Sequence, residues 1–208
     1  MDTFVVYDDM QYTKRDWRNR NLIKTAQGPK WLSIPVEVSG KYDQKIRDTR
    51  VADQSWQKSH LDSLYQNYNK AASFKEVWPW VKEIYATCSF SFLTEINLHF
   101  IQAINQFLGI ETEIRYSSEF ELDEERTMRL VNICLAIDAT DYYSGPAAKN
   151  YMTEKYFEEN QINVHYFNYS GYQEYEQFYP PFEHGVSILD LIFNTGSLSV
   201  NLFQREKK

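Results

Sequence analysis

No stretch of the 208-residue chain approaches 18 consecutive apolar residues, which excludes a membrane-spanning helix. Basic excess is missing as well: 22 Lys and Arg against 29 Asp and Glu leave a net charge of -7. A chain of that sign does not attract duplex nucleic acid through its overall field, although a local basic patch can still hold a small anion. Two cysteines are present, Cys88 and Cys134, both inside apolar helical patterns. They have no metal-ligand spacing and read as buried thiols of a reducing compartment. His60, His99, His165 and His184 have no mutual ligand spacing either. Seven glycines and six prolines exclude a collagen-like or linker-like chain. The first residues carry no basic region followed by an apolar stretch, so the expected location is the cytoplasm.

What the chain has is ordinary globular usage, 43% hydrophobic and 25% charged, enough apolar surface to exclude general disorder. Its length favours one domain, taken as 1–204, with a frayed tail at 205–208. Aromatic residues are frequent, with 16 Tyr, 13 Phe and 5 Trp. A tyrosine offers a flat apolar body and a hydrogen-bonding tip, which suits either a core or the wall of a sugar or base site.

Strand signals open the chain at 3–7, ending in Asp8 and Asp9, and recur at 31–38 and 45–51. A helical middle segment follows at about 53–109. Asp53 or Ser55 can cap a first helix with Leu61, Leu64, Tyr65 and Tyr68 as its apolar face. A second helix is carried by Val77, Val81, Ile84 and Tyr85, with Pro79 in its first turn or kinking it. The clearest helix spans 91–108 and stops at Gly109. After Gly109 the pattern alternates. It gives a strand at 111–116, a helix at 124–137 capped by Asp123, and a strand at 140–143. A helix then opens at Pro146, followed by a strand at 162–167 and a helix at 186–194. This alternation predicts an α/β fold, an open mostly parallel sheet flanked by helices.

Four constellations can carry chemistry. From Lys14 to Lys24 there are five cations and one acid, including Arg15, Arg18 and Arg20, interleaved with Tyr12 and Trp17. Arginine forks match phosphate or carboxylate oxygens, but such clusters also serve structural ion pairs. At Ser144, Gly145 and Pro146 a strand end meets a helix start, with Lys149 one turn in; this is an anion site or an ordinary capped helix. His184 precedes the last helix and can act as a general acid or base or as a structural residue, while Ser187 and Asp190 have capping-box spacing. From His165 to Phe182, eight of eighteen residues are aromatic, among them Tyr172 and Tyr175. Gly171 and the pair Pro180 and Pro181 break any helix there, leaving an aromatic loop able to wall a pocket.

Several of these blocks together resemble the WbqC-like family of bacterial proteins. The resemblance rests on YDDMQYTKRDWRNRNLIKT from Tyr7, YSGPAAKNYM from Tyr143, YFNYSGYQEYEQFY from Tyr166 and FEHGVSILDLIFNTG from Phe182. They fall in the family's order from about Thr3 to Gly196. The resemblance implies a place in O-antigen and other surface-polysaccharide (lipopolysaccharide) biosynthesis. It also suggests transfer of an amino acid such as glycine to a sugar. It further implies an upstream strand and helix with a segment like QPNYLPWxGYF, and Met1 falls where that element would already have ended.

On this reading the chain is a transferase that takes an anionic donor, such as a nucleotide-sugar or acyl donor, and moves an acyl or aminoacyl group onto a sugar amine. Arg15, Arg18 and Arg20 would neutralise phosphate. Ser144, Gly145 and Lys149 would hold a second anionic group. His184 would be the base, and Asp8 or Asp9 would orient the acceptor or a divalent cation. Tyr172 and Tyr175 would stack on the sugar. The alternatives are a non-catalytic nucleotide- or glycan-binding module and a nucleotidyl-transfer enzyme.

Overall fold

A computed structural model describes residues 1–203; the expected tail at 205–208 lies outside the described residues. In chain order the strands are β1 (Thr3–Val6), β2 (Arg20–Thr25), β3 (Gly28–Ser33), β4 (Glu113–Tyr116), β5 (Asp141–Ser144) and β6 (Asn163–Tyr166). The α-helices are α1 (Trp56–Tyr68), α2 (Phe74–Thr87), α3 (Leu93–Leu108), α4 (Arg126–Ala136), α5 (Lys155–Glu159), α6 (Ile188–Thr195) and α7 (Ser199–Phe203). The class is α/β, as the alternation predicts. Pairing among the described residues is spread over three two-stranded sheets: β1–β4 and β5–β6 are parallel, and β2–β3 is antiparallel. The chain forms two compact units. One combines Met1–Asp9 with Thr112–Gly171, and the other combines Met10–Glu111 with the chain from Tyr172 onward.

The first unit holds both parallel pairs. Its core is Val131 and Cys134 of α4 with Met152, Phe157 and Ile162, and the Tyr142 ring stacks on Phe157 at 5.0 Å. Burial pushes the Cys134 thiol up to about 11, so it is an inert apolar filler at neutral pH. The helix expected at 124–137 starts later, because Glu125 and not Asp123 caps it: its carboxylate accepts the Met128 N–H at 2.6 Å. Asp123 instead accepts the Glu125 N–H at 2.8 Å and fixes the turn before the helix. The helix expected at Pro146 is a five-residue 3-10 turn, Pro146–Asn150.

The second unit contains the hairpin and α1 to α3. β2 does not appear among the sequence-predicted strands, because its start lies in the cationic cluster and masks the pattern. It nevertheless pairs along its whole length, Arg20 with Ser33 through Thr25 with Gly28. The strand expected at 45–51 is reduced to isolated bridges, Val36 with Val51 and Arg50 with Phe92, around a 3-10 turn at Ile46–Asp48. Gly109 takes the left-handed conformation that ends α3 (φ 65°, ψ 31°), and its N–H caps the Asn105 and Gln106 carbonyls. α1 buries Leu64 and Tyr68 of its expected face, with Leu61 partly buried against the core, while Tyr65 is 50% exposed; Trp56 and His60 extend the buried row at a spacing of four.

Polar chemistry lies at the centre of this unit. Asp190 is fully buried in α6. Its carboxylate accepts from the Tyr68 hydroxyl at 2.8 Å, the Tyr175 hydroxyl at 2.6 Å and the Gln177 amide at 2.8 Å, with Asn194 at 3.3 Å. The capping-box reading of Asp190 is therefore corrected. Ser187 does cap α6, accepting the Leu189 N–H at 3.3 Å, but the Asp190 side chain points into the core. The neutral donors offset the cost of withdrawing a carboxylate from water.

Two outcomes follow from this hub. Asp190→Ala leaves the Tyr68 and Tyr175 hydroxyls without an acceptor and should lower unfolding free energy by about 3 kcal/mol, read by urea denaturation; a change near zero contradicts the assignment. Burial and the neighbouring Asp190 hold the Tyr68 hydroxyl far above its ordinary value of 10.0, and Tyr175 is raised in the same way. Protons are therefore bound more tightly in the folded chain. The resulting stability is complete below pH 10 and is lost above it, by up to about 1.4 kcal/mol per pH unit for Tyr68. Urea midpoints from pH 9 to pH 11 should fall more steeply in the native protein than in Tyr68→Phe.

Candidate functional site

The expected site residues divide between the two units. Asp8, Asp9, Ser144, Gly145 and Lys149 belong to the first. Arg15, Arg18, Arg20, Tyr172, Tyr175 and His184 belong to the second.

In the first unit, Asp8 and Asp9 follow β1 and are both buried. Asp9 pairs with Arg129 of α4 at 2.9 Å, and Asp8 accepts from the Ser117 hydroxyl at 3.4 Å. Among the described residues, no three His, Cys, Asp or Glu side chains converge as metal ligands. After β5, the Ala148 N–H is already bonded to the Gly145 carbonyl at 3.1 Å, and the Lys149 ammonium lies 4.6 Å over the Tyr166 ring. A five-residue 3-10 turn aligns too few peptide dipoles to act as a helix N-terminus toward an anion.

In the second unit the cationic cluster separates into different fates. Arg15 is exposed with a left-handed backbone (φ 60°). The Arg18 guanidinium bonds Asp16, and reaches the Thr13 hydroxyl at 2.6 Å. The Arg20 guanidinium carbon lies 4.1 Å over the Trp31 ring, and the group donates to the Arg15 carbonyl. Lys24 is buried, its ammonium bonded to the Pro181 carbonyl and its N–H to the Tyr68 hydroxyl at 2.9 Å.

Arg18 and Arg20 are brought together on the wall of a cavity of about 660 Å³. That size is typical of a small-molecule site. Its lining is mainly apolar. α3 contributes the stripe Asn97, Phe100, Ile101, Ile104 and Leu108, which the spacing places on one helical face. α1 adds Trp56 and His60, the hairpin adds Leu32, and the start of α6 adds Ser187 and Ile188. Three buried polar atoms of lining residues lack a hydrogen-bond partner: Asn19 Oδ1, Arg20 Nε and Trp56 Nε1. In a folded protein such atoms ordinarily find partners; these three lie within the wall, with essentially no exposed surface of their own.

The remaining expected residues do not line this cavity. The Tyr175 hydroxyl is committed to Asp190, with its ring edge-on to Phe182 at 5.0 Å. Tyr172 is exposed. His184 is 63% exposed on the segment before α6, its Nε2 lying 3.4 Å from Glu174 and its ring against Phe182.

Sequence reasoning missed His60 and Trp56 as site residues. His60 Nε2 lies 3.0 Å from the Ser33 carbonyl, which can only accept, and Nδ1 lies 3.3 Å from the Tyr85 hydroxyl. That assigns the proton to Nε2. The one available signal was the four-residue spacing of Trp56, His60, Leu64 and Tyr68, which the two polar-tipped aromatics obscure.

The fold and this cavity define an α/β protein with a mainly apolar pocket that two arginines help to wall. The chain belongs to the WbqC-like protein family, whose model matches residues 1–202. It is similar to the uncharacterised protein Rv1507c of Mycobacterium tuberculosis (strain ATCC 25618 / H37Rv), with 46% identity over 197 residues, covering 95% of this chain and 85% of that one. No solved structure matches the chain significantly.

Burial lowers the His60 pKa below its ordinary 6.5, with the Ser33 carbonyl opposing. The unfolded chain therefore takes up a proton first, and this contribution to stability is present above pH 6.5 and lost as pH falls below it. Melting temperature should drop between pH 7 and pH 5 more in the native protein than in His60→Gln; parallel curves contradict the assignment.

Proposed function

We propose that the chain is a transferase of bacterial surface-glycan assembly. It moves an acyl or aminoacyl group from an anionic donor onto a sugar amine, and the cavity beside Arg18 and Arg20 holds the donor. The surface-glycan setting comes from the family resemblance. The observation that carries the donor site is the Arg20 guanidinium. It is held 4.1 Å over the Trp31 ring and tied to the Arg15 carbonyl, and Arg20 lies on the cavity wall. A planar cation held in place before the ligand arrives loses little freedom on binding phosphate or carboxylate.

In the reaction the amine nitrogen attacks the acyl carbon. A carbon–nitrogen bond forms, the bond from the acyl carbon to its carrier breaks, and the carrier departs with the electron pair. The proton lost by the amine passes to a general base; the candidate, His184, lies in the segment leading into α6 and outside the cavity lining, so His184→Ala tests whether it takes that part. Arginine beside the carrier stabilises the charge that develops as it leaves.

Isothermal titration with UDP-N-acetylglucosamine and with acyl-coenzyme A esters tests the donor site. Saturable binding of one of them should weaken at least about tenfold in Arg20→Ala, as removal of a charged hydrogen-bonding partner requires. Binding that ignores Arg20, or no binding of any anionic donor, contradicts the proposal. Radiolabelled acyl group incorporated as an amide on an amino sugar supports the transfer, while pyrophosphate release from a nucleoside triphosphate contradicts it. His184→Ala should reduce that incorporation by about a hundredfold; unchanged turnover removes His184 from the mechanism.

A further inference from the structure

The cavity carries more information than its arginines, and the following rests on the donor-site reading above. We infer that the part of the donor seated in this cavity is an apolar acyl chain, its acidic carrier lying toward Arg18 and Arg20, rather than a sugar or a nucleobase.

The walls argue for a chain. Ile101, Ile104 and Leu108 form a continuous aliphatic strip along α3, facing the same space as Leu32, Ile34 and Ile188. A sugar seated there would leave hydroxyls against aliphatic carbon, where a polar group without a partner is strongly disfavoured. Three of the four asparagines in the lining already spend part of their amides. The Asn97 Nδ2 is bonded to the Arg18 carbonyl at 2.9 Å, the Asn19 Nδ2 to the Ile34 carbonyl at 2.8 Å, and the Asn21 Oδ1 to the Leu22 N–H at 2.8 Å.

A flat base fares no better. Trp56 is already packed against His60 at 5.0 Å, Tyr85 at 5.8 Å and Phe100 at 6.2 Å. Trp17 is tilted against Trp31 at 4.9 Å. An acyl donor suits both parts of the lining: its acidic carrier answers Arg18 and Arg20, while its hydrocarbon covers the α3 strip.

The test is a chain-length series. Coenzyme A esters from acetyl to dodecanoyl, below their micellar concentrations, are titrated into the protein alongside UDP-N-acetylglucosamine, decanoic acid and decanol. Affinity should rise about fourfold per added methylene until the cavity is full. Ile104→Gln should flatten the chain-length dependence, and because Ile104 is only half-buried, the variant should keep its fold.

Equal affinity for acetyl and decanoyl esters overturns the acyl-chain inference and leaves the anionic-donor reading standing. So does binding confined to UDP-N-acetylglucosamine. Tight binding of decanol equal to that of decanoic acid, unaffected by Arg20→Ala, supports the apolar pocket and removes the anionic reading. Decanoic acid binding as tightly as its coenzyme A ester identifies the carrier-free acid as sufficient, which still supports the chain site. Failure of all probes, or a protein whose cavity is closed by dimerisation in sedimentation experiments, overturns both.

Discussion

A single carboxylate with no solvent around it sets the arrangement of the second unit. Asp190 sits where an aliphatic side chain would be the easy choice, and it gathers hydroxyl and amide donors from three separate stretches of chain: α1 through Tyr68, the aromatic segment through Tyr175 and Gln177, and α6 itself through Asn194. Hydrophobic contact is tolerant of small displacements, whereas a buried acceptor tolerates none of its donors being absent. The Tyr68 hydroxyl, while donating to Asp190, also accepts the Lys24 N–H, and the Ser187 N–H bonds the Leu22 carbonyl at 2.7 Å. Through these two links the hub fixes β2 against α1 and α6.

That fixing matters because β2 begins at Arg20. The hairpin, α1, α3 and the first turn of α6 each contribute walls to one cavity, and only if they are held in register do the arginine face and the aliphatic face meet around the same volume. The polar hub and the apolar pocket are thus two parts of one device. A cation pre-placed on Trp31 supplies charge and the α3 strip supplies area. Charge alone binds many anions and area alone binds many oils; their combination underlies the acyl-donor proposal.

Much of the fold was legible in the sequence where one period dominates. α3 was readable because seven apolar residues repeat at helical spacing and Gly109 closes it. The α/β class was readable from the strand and helix alternation after Gly109. β2 was hidden because RNLIKT places two cations and an amide in six residues, and nothing local reveals that Lys24 finds the Pro181 carbonyl and becomes buried. Asp190 looked like a cap because Ser187 stands three residues before it; its true partners, 122 and 15 positions away, carry no local signal.

The site was legible in part for the same reason. A cluster of arginines can be seen in the chain, and two of them do share a cavity wall. The apolar stripe of α3 was visible as well, but periodicity cannot distinguish a face pressed on a core from one that lines a hollow. Residues chosen for their chemistry alone, Tyr175 among them, were recruited for structure once tertiary partners arrived.

The link between hub and cavity is tested most directly by amide hydrogen exchange in Asp190→Asn, which keeps the side-chain volume. Exchange at Lys24 and Ser187 should accelerate by about tenfold or more through local opening, while the α4 amides of the other unit keep their native rates. Unchanged exchange at those two amides, or acceleration spread evenly over both units, would contradict the account.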